Sequence, residues 1–267
     1  MTSRYRILDR RRSALNRILV CDVGRGERQL VFEGTNAVQS VARVGAPGYP
    51  ILPYVRALAA ALALVPPPRR ALVIGLGAGT VPAFLRTAFP ACRVDVVEVD
   101  PTVVEVARTW FELPDEPRLR VTVADGRAFL EEARRRWDVI VLDAYTESHV
   151  PPHLATREFL EVVRRRLAPG GAALANLWGS ATNRLFRPML RTYQEVFADL
   201  WVVRPRNSGN RIVVALPAPA TWTRDEAIES ARSLREAAGL RFDPASFLAS
   251  GLERIEEEVP ARALVDQ

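Results

Sequence analysis

A chain of 267 residues, 48% hydrophobic and 25% charged, is long enough for one large domain with a small appendage, and its composition excludes disordered, fibrous and disulfide-stapled classes. A formal net charge of +6 raises nucleic acid as a partner, but the arginines are scattered and no basic helix carries interleaved aromatics, so nucleic acid is set aside. No apolar run approaches the ~20 residues of a membrane span, the Arg-rich start lacks signal-peptide features, and Cys21 and Cys92 follow no ligand spacing; the expectation is a cytoplasmic protein with no membrane partner.

Arg4 to Arg17 is the densest arginine cluster and reads as a solvated surface or a contact with a second copy, the basis for expecting a homodimer through the N-terminal region. Arg17 to Val23 and Arg28 to Phe32 are strand-like around Gly24-Arg25-Gly26, a hairpin signal, and Ala37 to Val41 continues the meander. After a Gly/Pro loop, Tyr54 to Leu64 reads as a helix stopped by Pro66-Pro67-Pro68. Strand and helix then alternate: strand Ala71 to Ile74, helix Val81 to Ala88, strand Val94 to Val99, helix Pro101 to Phe111, strand Leu119 to Val123 and helix Arg127 to Arg136. Strand Val139 to Leu142, helix Thr156 to Leu167, strand Ala172 to Leu177 and helix Asn183 to Phe197 follow. Leu200 to Val203 and Arg211 to Leu216 read as an antiparallel edge pair, and the tail from Thr223 as helical. Repeated βα units predict an α/β fold: a doubly wound, Rossmann-like sheet of seven strands with a small N-terminal β-hairpin region. The expected units are 1–65, 66–220 and a C-terminal helical tail at 221–267.

Function concentrates between Arg70 and Asp100. Gly75, Gly77 and Gly79 follow the first buried strand directly, and the acids Glu98 and Asp100 close the second. Glycines let a backbone approach a ligand, and a carboxylate at the second strand end accepts hydrogen bonds from ribose hydroxyls, so a nucleoside-containing cofactor is expected. Glu98 is read here purely as a ligand group. Ligands of such sheets sit at the carboxyl ends of the strands, where the chain also places Asp125-Gly126 and Asp143 to Glu147. Asp125 has two readings, acceptor for an adenine amino group or N-cap of the following helix. Asp143 can orient or deprotonate an amine or hydroxyl acceptor. His149 and His153 flank Pro151-Pro152, either as a general base or as ordinary loop and helix-start residues. Their spacing without Cys or further His makes no metal site, and no metal is expected.

The segments SALNRILV, VIGLGAGT, VVEVDPTVVEVAR, VADGRAFL and DVIVLDAYTE, between Ser13 and Ser180, resemble in order and spacing the spermidine synthase (polyamine aminopropyltransferase) family, a branch of the class I S-adenosylmethionine-dependent transferases. The resemblance implies a class I methyltransferase-type sheet, with S-adenosylmethionine or its decarboxylated form as co-substrate. It also implies ribose on Glu98, adenine on Asp125-Gly126, Asn16 where the family has a donor-contacting glutamine, and Tyr54 near the tyrosine lining the acceptor site.

The departures are equally specific. The family's glycine loop reads G-G-G-[DE]-G-G, its acid binding the amine of the aminopropyl donor; here Ala78 stands there. Its fourth-strand loop reads D-S-x-D-P, the second Asp being the catalytic base; here Thr146 falls there, with Glu147 next to it. Near Tyr54 the family has an acid and this chain has Arg56. Desolvating a polyamine's charges without carboxylates is costly, and Gly34 to Val94 contains no Asp or Glu. Three readings follow: a methyltransferase acting on a small molecule with Asp143 as the acceptor-aligning acid, an aminopropyltransferase with Glu147 as base, and a non-catalytic nucleoside-binding relative. Arg43, Arg56 and the missing acids favour a neutral or anionic acceptor.

Overall fold

A computed structural model describes residues 6–33, 38–146, 149–179, 181 and 183–266. It opens with an antiparallel sheet in the order β1 (Arg6–Arg12), β2 (Arg17–Gly24), β3 (Glu27–Phe32), β4 (Val38–Arg43). Ile18 and Leu30 on β2 and β3 are buried while their neighbours in sequence are partly or fully exposed, the alternation of a sheet with one covered face, broken at Val20 and Cys21, which are both buried. The expected hairpin is thus half of a four-stranded sheet, and β1 is an addition, since its arginines gave no apolar alternation to read.

Helix α1 (Pro53–Ala61), extended by a 3-10 turn at Leu62–Leu64, leads into the large sheet. The chain continues as β5 (Arg70–Ile74), α2 (Thr80–Ala88), β6 (Arg93–Glu98), α3 (Pro101–Trp110), β7 (Leu119–Val123), α4 (Gly126–Glu132) and β8 (Trp137–Leu142). Then come α5 (Arg157–Arg166), β9 (Leu167–Trp178), α6 (Phe186–Val196), β10 (Asp199–Val203) and β11 (Asn210–Leu216). The tail supplies α7 (Arg224–Ala237), α8 (Pro244–Gly251) and β12 (Leu252–Arg254). The strand order is β12-β10-β11-β9-β8-β5-β6-β7, eight strands in all, with β5, β6, β7, β8 and β9 parallel and the β10–β11 hairpin antiparallel as expected. The tail is not wholly helical: β12 pairs with β10 through Leu252 opposite Val203 and adds the eighth strand. Helix α4 ends at Glu132, short of the expected Arg136, because Ala133 turns extended.

Helices cover both faces. On β5, Val73 joins the core under α1, α2 and α3, whereas Leu72 and Ile74 face the core under α4, α5 and α6. Burial of each such Val, Leu or Ile side chain contributes about 1.5–3 kcal/mol. Sequence runs from β5 outward through β6 to β7, and from β8 the other way to β9, so the strand order reverses between β5 and β8. A crevice opens at the carboxyl ends of strands where the order reverses. Among the described residues no helix is long and apolar enough to cross a membrane.

Candidate active site

The crevice is a cavity of about 610 Å³ at the ends of β5, β6, β7, β8 and β9, roofed by the β1–β2 turn, β4 and the start of α1. Its floor is the glycine turn. Gly75 has φ +98°, and a β-carbon there would stand 2.4 Å from the Asp143 carbonyl oxygen, so the first turn and the end of β8 are in backbone contact. Gly75→Ala is therefore expected to cost at least about 2 kcal/mol and to displace Asp143, which a urea denaturation curve and donor binding would show together. Gly77, at φ +53°, also lines the cavity; Gly79, at φ +78°, is the N-cap residue of α2 and lies outside the lining. Ala78 is fully buried and packs into the core rather than facing the cavity.

Glu98 faces the cavity and also holds its floor. One carboxylate oxygen accepts from the Leu76 N–H at 2.9 Å and the other from the Asp100 N–H at 3.0 Å. Burial raises its carboxyl above the ordinary value, and the two backbone donors work against that rise. Asp100 is only 1% exposed and lies outside the lining. One of its oxygens caps α3 through the Thr102 N–H, and the other accepts from Ser13 Oγ at 2.5 Å and Asn16 Nδ2 at 2.9 Å. Of the two acids closing β6, the structure thus brings Glu98 to the cavity and gives Asp100 to anchoring the β1–β2 turn. Asn16 lines the cavity with its amide N–H₂ engaged on Asp100.

Asp125 and Gly126 line the end of the cavity beyond β7. The N-cap reading of Asp125 holds, with Oδ1 accepting from the Arg127 and Ala128 N–H groups, while Oδ2 stands 2.7 Å from His153 Nε2. Burial pushes its carboxyl up, but the Ala128 N–H and His153 more than offset this and leave it below the usual carboxylate range. His153, in a 3-10 turn at Pro152–Leu154, lines the cavity as the partner of Asp125. His149 Nδ1 lies 3.3 Å from Thr146 Oγ1, and His149 does not line the cavity.

At the opposite end Asp143 is surrounded by polar side chains from three other segments. Asn176 Nδ2 on β9 donates to one oxygen at 2.8 Å, and the Tyr54 hydroxyl on α1 donates to the other at 3.4 Å. Asn210 Nδ2 on β11 donates to Asn176 Oδ1 at 2.9 Å, and Ser208 Oγ to Asn210 Oδ1 at 2.7 Å. Burial lifts the Asp143 carboxyl to about 6, with the Asn176 and Tyr54 hydrogen bonds restraining it. Burial and the adjacent Asp143 charge hold the Tyr54 hydroxyl well above its ordinary value, so it remains a donor. Tyr145 and Trp178 stack with ring centres 5.6 Å apart and complete this wall, Tyr145 donating to the Asn176 carbonyl oxygen at 2.8 Å. Glu147 lies outside the described residues. Arg43 is not in the wall of this cavity: it pairs with Glu27 at 3.1 Å and lies over the Tyr49 ring, which removes it as evidence on the acceptor.

Sequence reading missed Asn176, Ser208, Asn210 and Tyr145. Asn176 did carry a signal, being the one polar residue inside the apolar run of β9. Gln39 and Ser40 on β4 also line the cavity, and Gln39 Nε2 is buried without a hydrogen-bond partner. Among the described residues no group of three or more His, Cys, Asp or Glu is placed to hold a metal ion.

The sequence signature of the spermine/spermidine synthase domain matches residues 54–203, more than half of the chain. The chain belongs to the spermine/spermidine synthase domain family. Aminopropyltransferases and protein methyltransferases both occur among its relatives. It is 36% identical over 168 residues to the polyamine aminopropyltransferase of Vibrio vulnificus, covering 61% of this chain and 56% of that protein. It is 33% identical over 185 residues to the eEF1A lysine and N-terminal methyltransferase of Bos taurus, covering 65% of this chain and 26% of that one. The chain thus spans about half the length of the first and a quarter of the second. Human Methyltransferase-like protein 13, solved in complex with SAH, superposes with a TM-score of 0.66 at 30% identity over 72% of this chain and 94% of that one. A probable spermidine synthase of Corynebacterium glutamicum shares the spermine/spermidine synthase fold at a TM-score of 0.75 and 23% identity, over 98% of this chain and 97% of its own.

Proposed function

We propose that this chain is a transferase with an adenosylsulfonium co-substrate, and that it moves the methyl group of S-adenosylmethionine to a small acceptor held at Asp143. The observation that carries the reading is the make-up of the cavity wall. Its acids among the described residues are Glu98, Asp125 and Asp143, and the glycine turn adds none, Ala78 being packed in the core. A donor bearing the methionine carboxylate meets no repelling acid at that turn, while the free amine of an aminopropyl donor finds no partner there. S-adenosylmethionine, when bound, supplies an electrophilic methyl group on its sulfonium. In this reading Glu98 accepts from the ribose hydroxyls with the lone pairs left over from its two backbone bonds. Asp125 and Gly126 take the purine. Asp143, desolvated and flanked by Asn176 and Tyr54, aligns the acceptor O–H or N–H and takes its proton as the sulfonium charge is lost.

Aminopropyl transfer is the second reading, favoured by the pairing of Tyr54 with Asp143 and by the 36% identity to the Vibrio vulnificus enzyme. Titration calorimetry with S-adenosylmethionine and with its decarboxylated form separates the two. Affinity for S-adenosylmethionine is expected to equal or exceed that for the decarboxylated donor. A ten-fold preference the other way, about 1.4 kcal/mol, would reverse the ranking.

A further inference from the structure

A second cavity, of about 260 Å³, adjoins the first and shares Pro53 with it. Arg56, Arg206 and Phe247 are in its wall, with Ser246 and Ser250 of α8. Two segments run from one cavity into the other. On α1, Pro53 lines both and Arg56, one turn further on the same helix face, lines the second. On the β10–β11 loop, Arg206 lines the second cavity and Ser208 to Asn210 the first.

The two arginines lack what arginines near them have. Arg204, two residues before Arg206, pairs with Glu253 at 2.5 Å, and Arg43 pairs with Glu27. Neither Arg56 nor Arg206 has a carboxylate partner among the described residues. Arg56 donates Nε to the Pro50 carbonyl oxygen at 2.8 Å and sits 5.8 Å from the Phe242 ring centre and 6.0 Å from that of Tyr49, which holds its stem while leaving both Nη groups undirected. Ser246 and Ser250 give their hydroxyl protons to the carbonyl oxygens of Asp243 and Ser246, so the donors open to a ligand are the guanidinium N–H groups. Two guanidinium groups, one aromatic wall and no acid make a site for a carboxylate or phosphate on a short stem.

We infer that Arg56 and Arg206 bind the anionic far end of the acceptor, a small molecule whose nucleophile lies at Asp143 and whose carboxylate or phosphate lies between the two arginines. The inference rests on the first cavity being the transfer site. It gives a physical sense to an arginine where the family resemblance has an acid: the acceptor's remote charge is reversed in sign.

The test is binding of two probes, succinate and inorganic phosphate, to the intact chain and to Arg206→Gln and Arg56→Gln, with S-adenosylhomocysteine titrated in parallel. Arg206 is exposed, so its variant leaves the fold undisturbed, and the melting temperature controls for Arg56. At least one probe is expected to saturate in the millimolar range, its identity telling carboxylate from phosphate, and each variant to weaken it by about five- to ten-fold. S-adenosylhomocysteine affinity should stay as in the parent chain. No saturation by either probe, or saturation that both variants leave untouched, would overturn the site. Equal losses of probe and S-adenosylhomocysteine affinity in Arg206→Gln would overturn it too, since the arginines would then serve the donor. A parent chain that takes succinate or phosphate at these arginines but refuses S-adenosylhomocysteine would leave the anion site standing and sink the transferase reading.

Discussion

Asp143→Asn is expected to lose about 10²- to 10⁴-fold in turnover while donor affinity stays within about three-fold. The asparagine keeps the shape and one oxygen to accept from Asn176, its NH₂ facing a Tyr54 hydroxyl that must then accept, but it cannot take a proton. Burial sets the carboxyl at about 6, so the base form dominates above that pH and is lost below it. With a hydroxyl acceptor that does not titrate nearby, kcat/KM should rise with pH through a limb centred near 6 and then level off. The limb in kcat should lie lower, because a sulfonium beside the carboxylate favours its ionised form. Both limbs should vanish in the variant. Glu147 is the internal control. Methyl transfer leaves Glu147→Gln active; aminopropyl transfer with Glu147 as base makes that change the crippling one. Full activity in Asp143→Asn on an acceptor that consumes the donor would remove the end of β8 as the catalytic centre. The acceptor itself must come from a screen of amines, phenols and small anions with product detection.

Glu98→Ala is expected to weaken donor binding by about 1.5–3 kcal/mol, the range for charge-assisted hydrogen bonds. It should also lower the stability of the ligand-free chain by about 1–3 kcal/mol, because the Leu76 and Asp100 N–H groups lose their acceptor inside a part-buried turn. Glu98→Gln keeps one carbonyl oxygen and should recover part of the stability with little of the affinity. The measurements are calorimetry for the donor and a melting curve without it. Unchanged affinity in both variants, with stability lost, would make Glu98 a purely structural acid and move the ribose elsewhere in the cavity.

The second role of Glu98 was not legible in the sequence, and the reason is general. A glycine turn after an apolar strand and an acid at the end of the next strand are local patterns, each forced by what a backbone needs near a ligand, so Gly75, Gly77, Glu98 and Asp125 could be placed at strand ends from the sequence. The bonds from Glu98 back to Leu76 and Asp100 depend on how the turn folds over the strand. The same holds for the meeting of Tyr54 with Asp143, 89 residues away, and for Asp100, whose partners Ser13 and Asn16 lie in the β1–β2 turn. Strand β1 escaped because Arg6, Arg10, Arg11 and Arg12 face solvent on a sheet edge and leave no alternation of apolar residues. Strand β12 escaped because three residues after a helix carry no period at all. Asn176 could have been found: a lone amide in a strand buried on both faces must have a partner, and that partner is the carboxylate at the end of the neighbouring strand.

The reversal of strand order between β5 and β8 has a consequence for how such a protein can change its chemistry. Groups facing the half of the cavity proposed for the nucleoside hang from β5, β6 and β7, whereas Asp143, Asn176 and Asn210 hang from β8, β9 and β11 on the other side of the reversal. The two sets are joined by the pairing of β5 with β8, which ends where Gly75 packs against Asp143. A lineage, or an engineer, can rewrite the β10–β11 loop and the first turn of α1 to receive a different nucleophile without disturbing the donor's seat. Two halves hung from different strands are separately tradable parts, and one scaffold can carry many acceptors.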